Sequence, residues 1–157
     1  MIFRRATEAD LDSVLLLAQN IFESEQGIPR ALTYIPPEKR PRWWCAEQDG
    51  RIAATVVAYA EDGVWHMGRL TVAQELRGQG IAPRLIRFAL EDLFEQGVEE
   101  LHMEARTAVV RILETFGAEI TGEAVPFYVG TITPLCLKKD RFYASTAILA
   151  ERVWLGF

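Results

Sequence analysis

One turn in the sequence combines two glycines with fixed positive charge. Arg77 opens the turn, Gly78 and Gly80 follow with one residue between them, and an apolar helical pattern begins at Ile81. Glycines let a backbone approach a ligand closely, and successive N–H groups in such a turn point outward toward an anion. The following helix adds the positive end of its dipole, which favours a phosphate group at the same place. The turn is therefore predicted to bind a pyrophosphate.

Two common phosphate-binding motifs do not fit this turn. Pro83 occupies the position of the third glycine in a Rossmann fingerprint. The segment also lacks the Gly-Lys-Ser/Thr ending of a Walker loop. Neither a dinucleotide site nor a nucleoside triphosphate site accounts for it.

Strand and helix patterns alternate around the turn. Apolar residues from Val64 to Val72 indicate a strand, a broad helical stripe runs from Ile81 to Phe94, and Glu99 to Ala105 indicates the next strand. A strand–helix–strand unit of this kind is a right-handed parallel crossover. The other predicted elements are strands at 2–6, 42–48, 51–60, 118–127 and 131–138, a helix capped by Thr7-x-x-Asp10, and a helix at 109–116. The predicted fold class is α/β, or α+β layered, with a mixed, mostly antiparallel sheet of about seven strands and helices on both faces.

Composition limits the classes of function. The chain has 157 residues and a formal net charge of -5, so we expect one domain and no nucleic-acid partner held by phosphate neutralisation. No apolar run suits a signal peptide or a membrane span. Cys45 and Cys136 lie in apolar strand-like runs, which predicts two buried free thiols and a cytoplasmic protein. The two dispersed histidines and two dispersed cysteines predict no metal site.

Three segments together resemble one superfamily. Arg77, Gly80 and Ala82 match the Q/R-x-x-G-x-G/A motif of the GNAT acetyltransferases. The segment 105–118 resembles their A-x-x-F-Y-E-x-L-G-F segment, and 22–29 resembles the F-x-x-E-Q-G-V-P turn of the small ElaA-like branch. The resemblance spans roughly residues 1–140, and the turn has the strand–turn–helix context that such a motif requires.

The resemblance implies an N-acetyltransferase that moves an acetyl group from acetyl-CoA to an amine of a small molecule or peptide, by direct attack in a ternary complex. The cofactor-binding residues it implies are Leu70, Thr71, Val72, Arg77, Gly78, Gln79, Gly80, Ile81 and Ala82. The thioester is expected where the parallel strands ending near Val72 and Ala105 splay apart. A backbone N–H near Thr71 or Val72 would polarise its carbonyl.

The candidates for a general base are Glu104, Glu25, His66 and His102. Strand alternation places Glu104 and His102 on one face of their strand. Glu104 ranks first because it lies near the strand end, beside the expected cleft. The alternative for Glu104 is a solvated or salt-bridged carboxylate. Glu25 either holds the amine or terminates its helix, and His66 has the alternative of a core histidine.

The sequence departs from the family at the position of the general acid. The family's usual tyrosine falls on Leu113, which has no proton to give. Tyr128 and Tyr143 are substitutes from other segments, with packing as the alternative role of each. Leu113 therefore keeps open a second function, a non-catalytic sensor that binds acyl-CoA without turnover.

The last residues, 141–157, lie beyond the resemblance. They contain too many apolar side chains to trail in water, among them Phe142, Ile148, Leu149, Val153, Trp154 and Leu155. We expect this extension to pack on the domain of residues 1–140 or on a second copy, which would form a homodimer.

Overall fold

The structure is a computed structural model that describes residues 1–154, with side chains described through residue 147. The chain begins with strand β1 (Ile2–Arg5) and helix α1 (Leu11–Gln26). The carboxylate of Asp10 accepts hydrogen bonds from the backbone N–H and the hydroxyl of Thr7, which caps the entry to the helix. Gly27 ends α1 with a left-handed φ of 67°, a conformation that glycine adopts without steric cost.

The remaining elements are β2 (Arg42–Gln48), β3 (Arg51–Glu61), β4 (Val64–Val72), α2 (Ile81–Glu95), β5 (Glu100–Ala105), α3 (Thr107–Thr115), β6 (Glu119–Ile120), β7 (Val125–Pro126), β8 (Thr131–Lys138) and α4 (Lys139–Trp154). They follow the predicted order as far as β8, and helix α4, which the sequence pattern did not predict, comes after it. Short 3-10 turns replace regular structure in the proline-rich stretch between α1 and β2.

The strands form a mixed sheet with the order β1-β2-β3-β4-β5-β8-β6, and β7 pairs with β8. Among the described strand pairs, β4 and β5 alone run parallel. The predicted fold class is therefore confirmed, with eight strands in place of about seven.

One predicted strand is wrong in its extent. Residues 118–127 form two strands of two residues each, β6 and β7, and not one continuous strand. Gly122 lies between them against the ring of Pro134, and glycine within a strand pattern weakens pairing.

Helices cover both faces of the sheet unequally. Helices α2, α3 and α4 pack on one face and bury the larger core, which includes Leu85, Leu101 and Leu135. Helix α1 packs on β3 and β4 from the other face, where Val14 and Val57 are buried. On the face of β5 and β8 opposite α3 and α4, Glu100 is exposed and His102 and Cys136 are half-buried, so this face is open. No helix in the described residues is both long and apolar enough to cross a membrane.

The predicted burial of the two cysteines is only half right. Cys45 is fully buried, as expected. Cys136 is partly exposed, and its thiol donates a hydrogen bond to the Oε1 atom of Glu100 at 2.9 Å. Its place on the open face of β8, where alternation leaves the neighbouring Leu135 and Leu137 buried, explains the difference.

The extension begins as part of the domain. Helix α4 begins at Lys139 and continues past residue 140, where the sequence predicted the boundary between domain and extension. Phe142 is fully buried against Phe94 and Phe116, with ring centroids at 5.3 and 6.0 Å. The apolar side chains that the sequence singles out from residue 148 onward lie outside the described side chains.

Phe142→Ala is expected to lower the free energy of unfolding by about 3–5 kcal/mol, because it deletes a buried aromatic ring and leaves a cavity. Urea denaturation followed by circular dichroism measures the change. Tyr143→Ala is the matched control, since Tyr143 is adjacent but 40% exposed and should cost much less. Equal stability of the wild type and Phe142→Ala would contradict the packing of α4 on the domain.

Candidate active site

Strands β4 and β5 separate at the centre of the sheet. Their parallel register joins Trp65 to Leu101 and His66 to His102, and among the described residues no further pair joins them toward their carboxyl ends. A bulge also bends β4, where Thr71 faces Thr55 but Gly68 faces Val57. Ligands of open α/β sheets bind at such a crevice.

A cavity of about 410 Å³ surrounds the glycine turn, and we name it the turn cavity. Its walls include all the predicted cofactor-binding residues except Gln79. They are Leu70, Thr71, Val72, Arg77, Gly78, Gly80, Ile81 and Ala82. The end of α1 and the start of α3 complete the walls, through Glu25 and Ala108.

The backbone of the turn is shaped for an anion. Gly78 and Gly80 have φ values of 78° and 75°, which favour glycine. Gly80 is the N-cap of α2 and supplies no side-chain cap, so the first-turn amides of that helix remain available to a ligand. A Cβ atom built at either glycine meets no protein atom within 4 Å. Open space and unused amides at a helix N-terminus are the features of a phosphate-binding site.

Arg77 and Glu25 form a two-point ion pair beside this turn. The Nη1 and Nη2 atoms of Arg77 donate to the two carboxylate oxygens of Glu25 at 2.6 and 2.8 Å. The Nε atom donates to the carbonyl of Val72 at 3.1 Å, which ties the turn to the end of β4. The guanidinium lowers the pKa of Glu25, and this makes Glu25 a weaker proton acceptor than its ordinary chemistry suggests.

Arg77→Ala is expected to weaken acetyl-CoA binding by about 1–3 kcal/mol, since a charge-assisted contact and the tie to β4 are lost while the amides remain. Glu25→Gln is the matched variant, because it keeps the side chain's shape and leaves the guanidinium in place. We expect it to leave kcat nearly unchanged, whereas loss of a general base would lower kcat by roughly 10²–10⁴. Calorimetry and steady-state kinetics measure the two effects, and a drop of that size in Glu25→Gln would identify Glu25 as the base.

A second cavity of about 490 Å³ lies at the splayed strands and has walls from both faces of the sheet, with Phe22 of α1 on one side and Leu113 of α3 on the other, and we name it the cleft cavity. It shares Gln26, Leu70 and Val109 with the turn cavity, so the two cavities meet where β4 and β5 separate. Its walls carry the acid–base side chains Glu61, His66, His102 and Glu104. Three of the four base candidates that the sequence indicates thus line one cavity, and Glu25 lines the other.

The geometry separates these candidates. Glu104 is exposed and lies one residue before the end of β5. His66 is half-buried and stacks on Tyr59 at a centroid distance of 5.4 Å, with the ring of His102 at 6.1 Å. Burial lowers the pKa of His66, so its imidazole is neutral at pH 7. His66 is not an enclosed core histidine, because it lines the cleft cavity.

Sequence reasoning missed several polar residues of the cleft cavity. Arg69 donates to the hydroxyl of Tyr59 at 3.3 Å and to the carbonyl of Leu32 at 3.1 Å. Arg106 donates to the carbonyls of Phe127 and Val129, which holds the loop before β8 against the cavity. These contacts join segments that are far apart in the sequence, and Arg69 has a left-handed φ of 53°. A local sequence pattern contains neither feature, so it could not identify these residues.

Leu113 lies in the wall of the cleft cavity and is 1% exposed. Tyr128 and Tyr143, the proposed substitutes for a general acid, are 52% and 40% exposed and line neither cavity. In the described part of the chain, the hydroxyls of the two cavities belong to Thr33, Tyr59 and Thr71.

Known structures share this architecture. The Escherichia coli protein ElaA superimposes with a TM-score of 0.75 at 15% identity, over 88% of this chain and 100% of ElaA. A ribosomal-protein-alanine N-acetyltransferase from Brucella melitensis gives a TM-score of 0.69 at 21% identity, over 88% and 99% of the two chains. The aminoglycoside acetyltransferase AAC(6')-Ib, solved with coenzyme A and kanamycin, gives 0.65 at 20% identity, over 90% and 96%.

At these identities the structures establish the fold, and the family rests on sequence. No curated relative matches the chain by sequence. The family model described as the acetyltransferase (GNAT) family matches residues 12–118, a span that includes all but the first residue of α1, the glycine turn and α3. The chain therefore belongs to the GNAT acetyltransferase family.

Proposed function

We propose that the protein transfers an acetyl group from acetyl-CoA to an amine of a small molecule or peptide, by direct attack in a ternary complex. The observation that carries this proposal is the junction of the two cavities. The turn cavity, where we propose that the pyrophosphate binds, shares Gln26, Leu70 and Val109 with a cleft cavity lined by carboxylates and imidazoles. An amine in the cleft cavity is thereby adjacent to the cofactor site.

The residues of the turn cavity hold and orient the cofactor in this proposal. Amides of the turn and of the first turn of α2 bind the pyrophosphate, and Arg77 supports them. When bound, the cofactor supplies an activated acetyl group as a thioester. A backbone N–H near Thr71 or Val72 hydrogen-bonds to the acetyl carbonyl, and such a fixed donor stabilises the charge that develops on the oxygen.

Glu104 remains our proposed base. An amine attacks only when it is neutral, so a group in the cleft cavity must accept its proton. Glu104 lies near the end of β5 at the splay, while His66 and His102 lie where the two strands are still paired. This position at the splay supports Glu104, and not either histidine, as the general base.

The proposal is tested by thiol release from acetyl-CoA against amino acids, peptides, polyamines and aminoglycosides. We expect release that depends on one class of amine and yields the N-acetylated product by mass spectrometry. Binding of acetyl-CoA by calorimetry is measured in parallel. Tight binding without turnover on any amine would replace the enzyme by the acyl-CoA sensor, and absence of binding would overturn the function altogether.

Leu113→Tyr distinguishes the enzyme from the sensor. The phenol would stand in the wall of the cleft cavity and provide a proton donor to the leaving group. If the protein is an enzyme, we expect kcat to rise by at most roughly 10²–10⁴, with little change in acetyl-CoA affinity because the benefit exists only in the transition state. Leu113→Met, similar in volume but without a donor, is the control. If kcat falls in Leu113→Tyr but not in Leu113→Met, the size and shape of the leucine side chain are needed for the acceptor site.

Two further expectations belong to the proposal. We place the reaction in the cytoplasm, supported by two cysteines that form no disulfide with each other. We also keep the prediction that the extension 141–157, beyond the buried Phe142, packs on the domain or on a second copy.

A further inference from the structure

The open face of the sheet brings together side chains that are far apart in the sequence. Glu100 and His102 lie two residues apart on β5 and so project from the same face. Cys136 is the direct cross-strand partner of His102 in the antiparallel register of β5 and β8. One oxygen, one nitrogen and one sulfur atom of these residues lie within 4.8 Å of one another.

We propose that Glu100, His102 and Cys136 bind a divalent cation of the zinc type on this face of the sheet. Carboxylate, imidazole and thiolate are the three ligand classes that Zn²⁺ takes in proteins. Three protein ligands leave a fourth tetrahedral position for water or another ligand. The proposal concerns a site outside the turn cavity, and its binding test does not depend on the proposed acetyl transfer.

The distances are close to those that a shared ion requires. Ligands at about 2.0–2.3 Å from one tetrahedral ion lie about 3.3–3.7 Å from each other. The Nε2 atom of His102 is 3.4 Å from the Oε1 atom of Glu100, and the Sγ atom of Cys136 is 2.9 Å from that same oxygen. A rotation of the Glu100 side chain, which is 47% exposed, is enough to open the shorter distance without moving the strands.

The surroundings permit entry and explain why the site would hold its shape. The side chain of His102 is 41% exposed, so an ion reaches it from solvent. Cys136 and His102 sit on two paired strands whose opposite faces are anchored in the core by Leu101, Leu135 and Leu137. The ligand backbone is therefore rigid, and only side-chain rotation separates the free arrangement from the bound one.

The site also touches the chemistry of the cleft cavity. His102 lines that cavity, whereas Glu100 and Cys136 do not. An ion held by the three residues would therefore withdraw the imidazole of His102 from the acceptor and place a positive charge beside an incoming amine. On the proposed function, the consequence is inhibition by the cation.

Titration of the full chain with Co²⁺ under a phosphine reductant tests the proposal. We expect one ion per chain, with a sulfur-to-cobalt charge-transfer band and tetrahedral d–d bands that Zn²⁺ displaces. Cys136→Ser should abolish the charge-transfer band, and His102→Gln should weaken binding at least about tenfold. Cys45→Ser is the matched control, because Cys45 is fully buried in another part of the sheet and its loss should leave the spectrum unchanged.

The outcomes separate clearly. Absence of the band in the wild type, or its persistence in Cys136→Ser, would overturn the site. If the band appears as expected, Zn²⁺ should inhibit acetyl transfer in the wild type and much less in Cys136→Ser. A protein that binds Co²⁺ as described but shows no acetyl transfer would keep the metal site and remove the proposed function.

Discussion

Gly80→Val is expected to abolish acetyl-CoA binding while the fold survives. The N-cap of α2 has a φ of 75°, and a Cβ atom at this position projects into space that no protein atom occupies within 4 Å. In the proposed function, that space is the part of the turn cavity where the pyrophosphate reaches the amides of the helix. A branched side chain there blocks the ligand directly, and it also strains the backbone conformation that aims those amides.

A control variant must separate the effect of backbone strain from the effect of a side chain that blocks the ligand. Gly63, in the turn between β3 and β4, has a φ of 78° and equally open surroundings, but it lines neither cavity. Gly63→Val therefore carries a comparable strain, about 1–3 kcal/mol, without a side chain in the ligand's path. Calorimetry should find no binding to Gly80→Val and wild-type affinity for Gly63→Val. Wild-type affinity in a folded Gly80→Val protein would remove the turn from the cofactor site.

The glycine turn was predictable because its information is local. Two glycines, an arginine and the start of an apolar helix lie within a few residues, and the left-handed conformations that they adopt follow from the glycines themselves. The fold was predictable for a similar reason, since hydrophobic periodicity marks each long strand and helix. The sequence did not predict the break at Gly122, because two short strands of two residues each produce the same alternation as one continuous strand.

The parts of the site that were missed depend on contacts between distant segments. Arg77 meets Glu25 across 52 residues of sequence, and this contact lowers the pKa of the Glu25 carboxylate. Cys136 is placed beside His102 by the register of β5 and β8. No local pattern contains that register, because sliding one strand by two residues preserves the buried face and changes every cross-strand partner.

Glu104→Gln is expected to lower kcat by roughly 10²–10⁴ with little change in acetyl-CoA affinity, because the amide keeps the shape of the side chain but accepts no proton. The fall of kcat at acidic pH, which a general base of the ternary complex causes, should disappear as well.

Three variants make this result specific to Glu104. Glu61→Gln removes another carboxylate of the cleft cavity, one that pairs with Lys39 at 3.1 Å, and should leave the acidic limb in place. His66→Gln and His102→Gln test the two imidazoles of the same wall. If Glu104→Gln keeps both its rate and its acidic limb while His66→Gln loses them, the base is the imidazole of His66, and Glu104 is a solvated carboxylate at the mouth of the cleft.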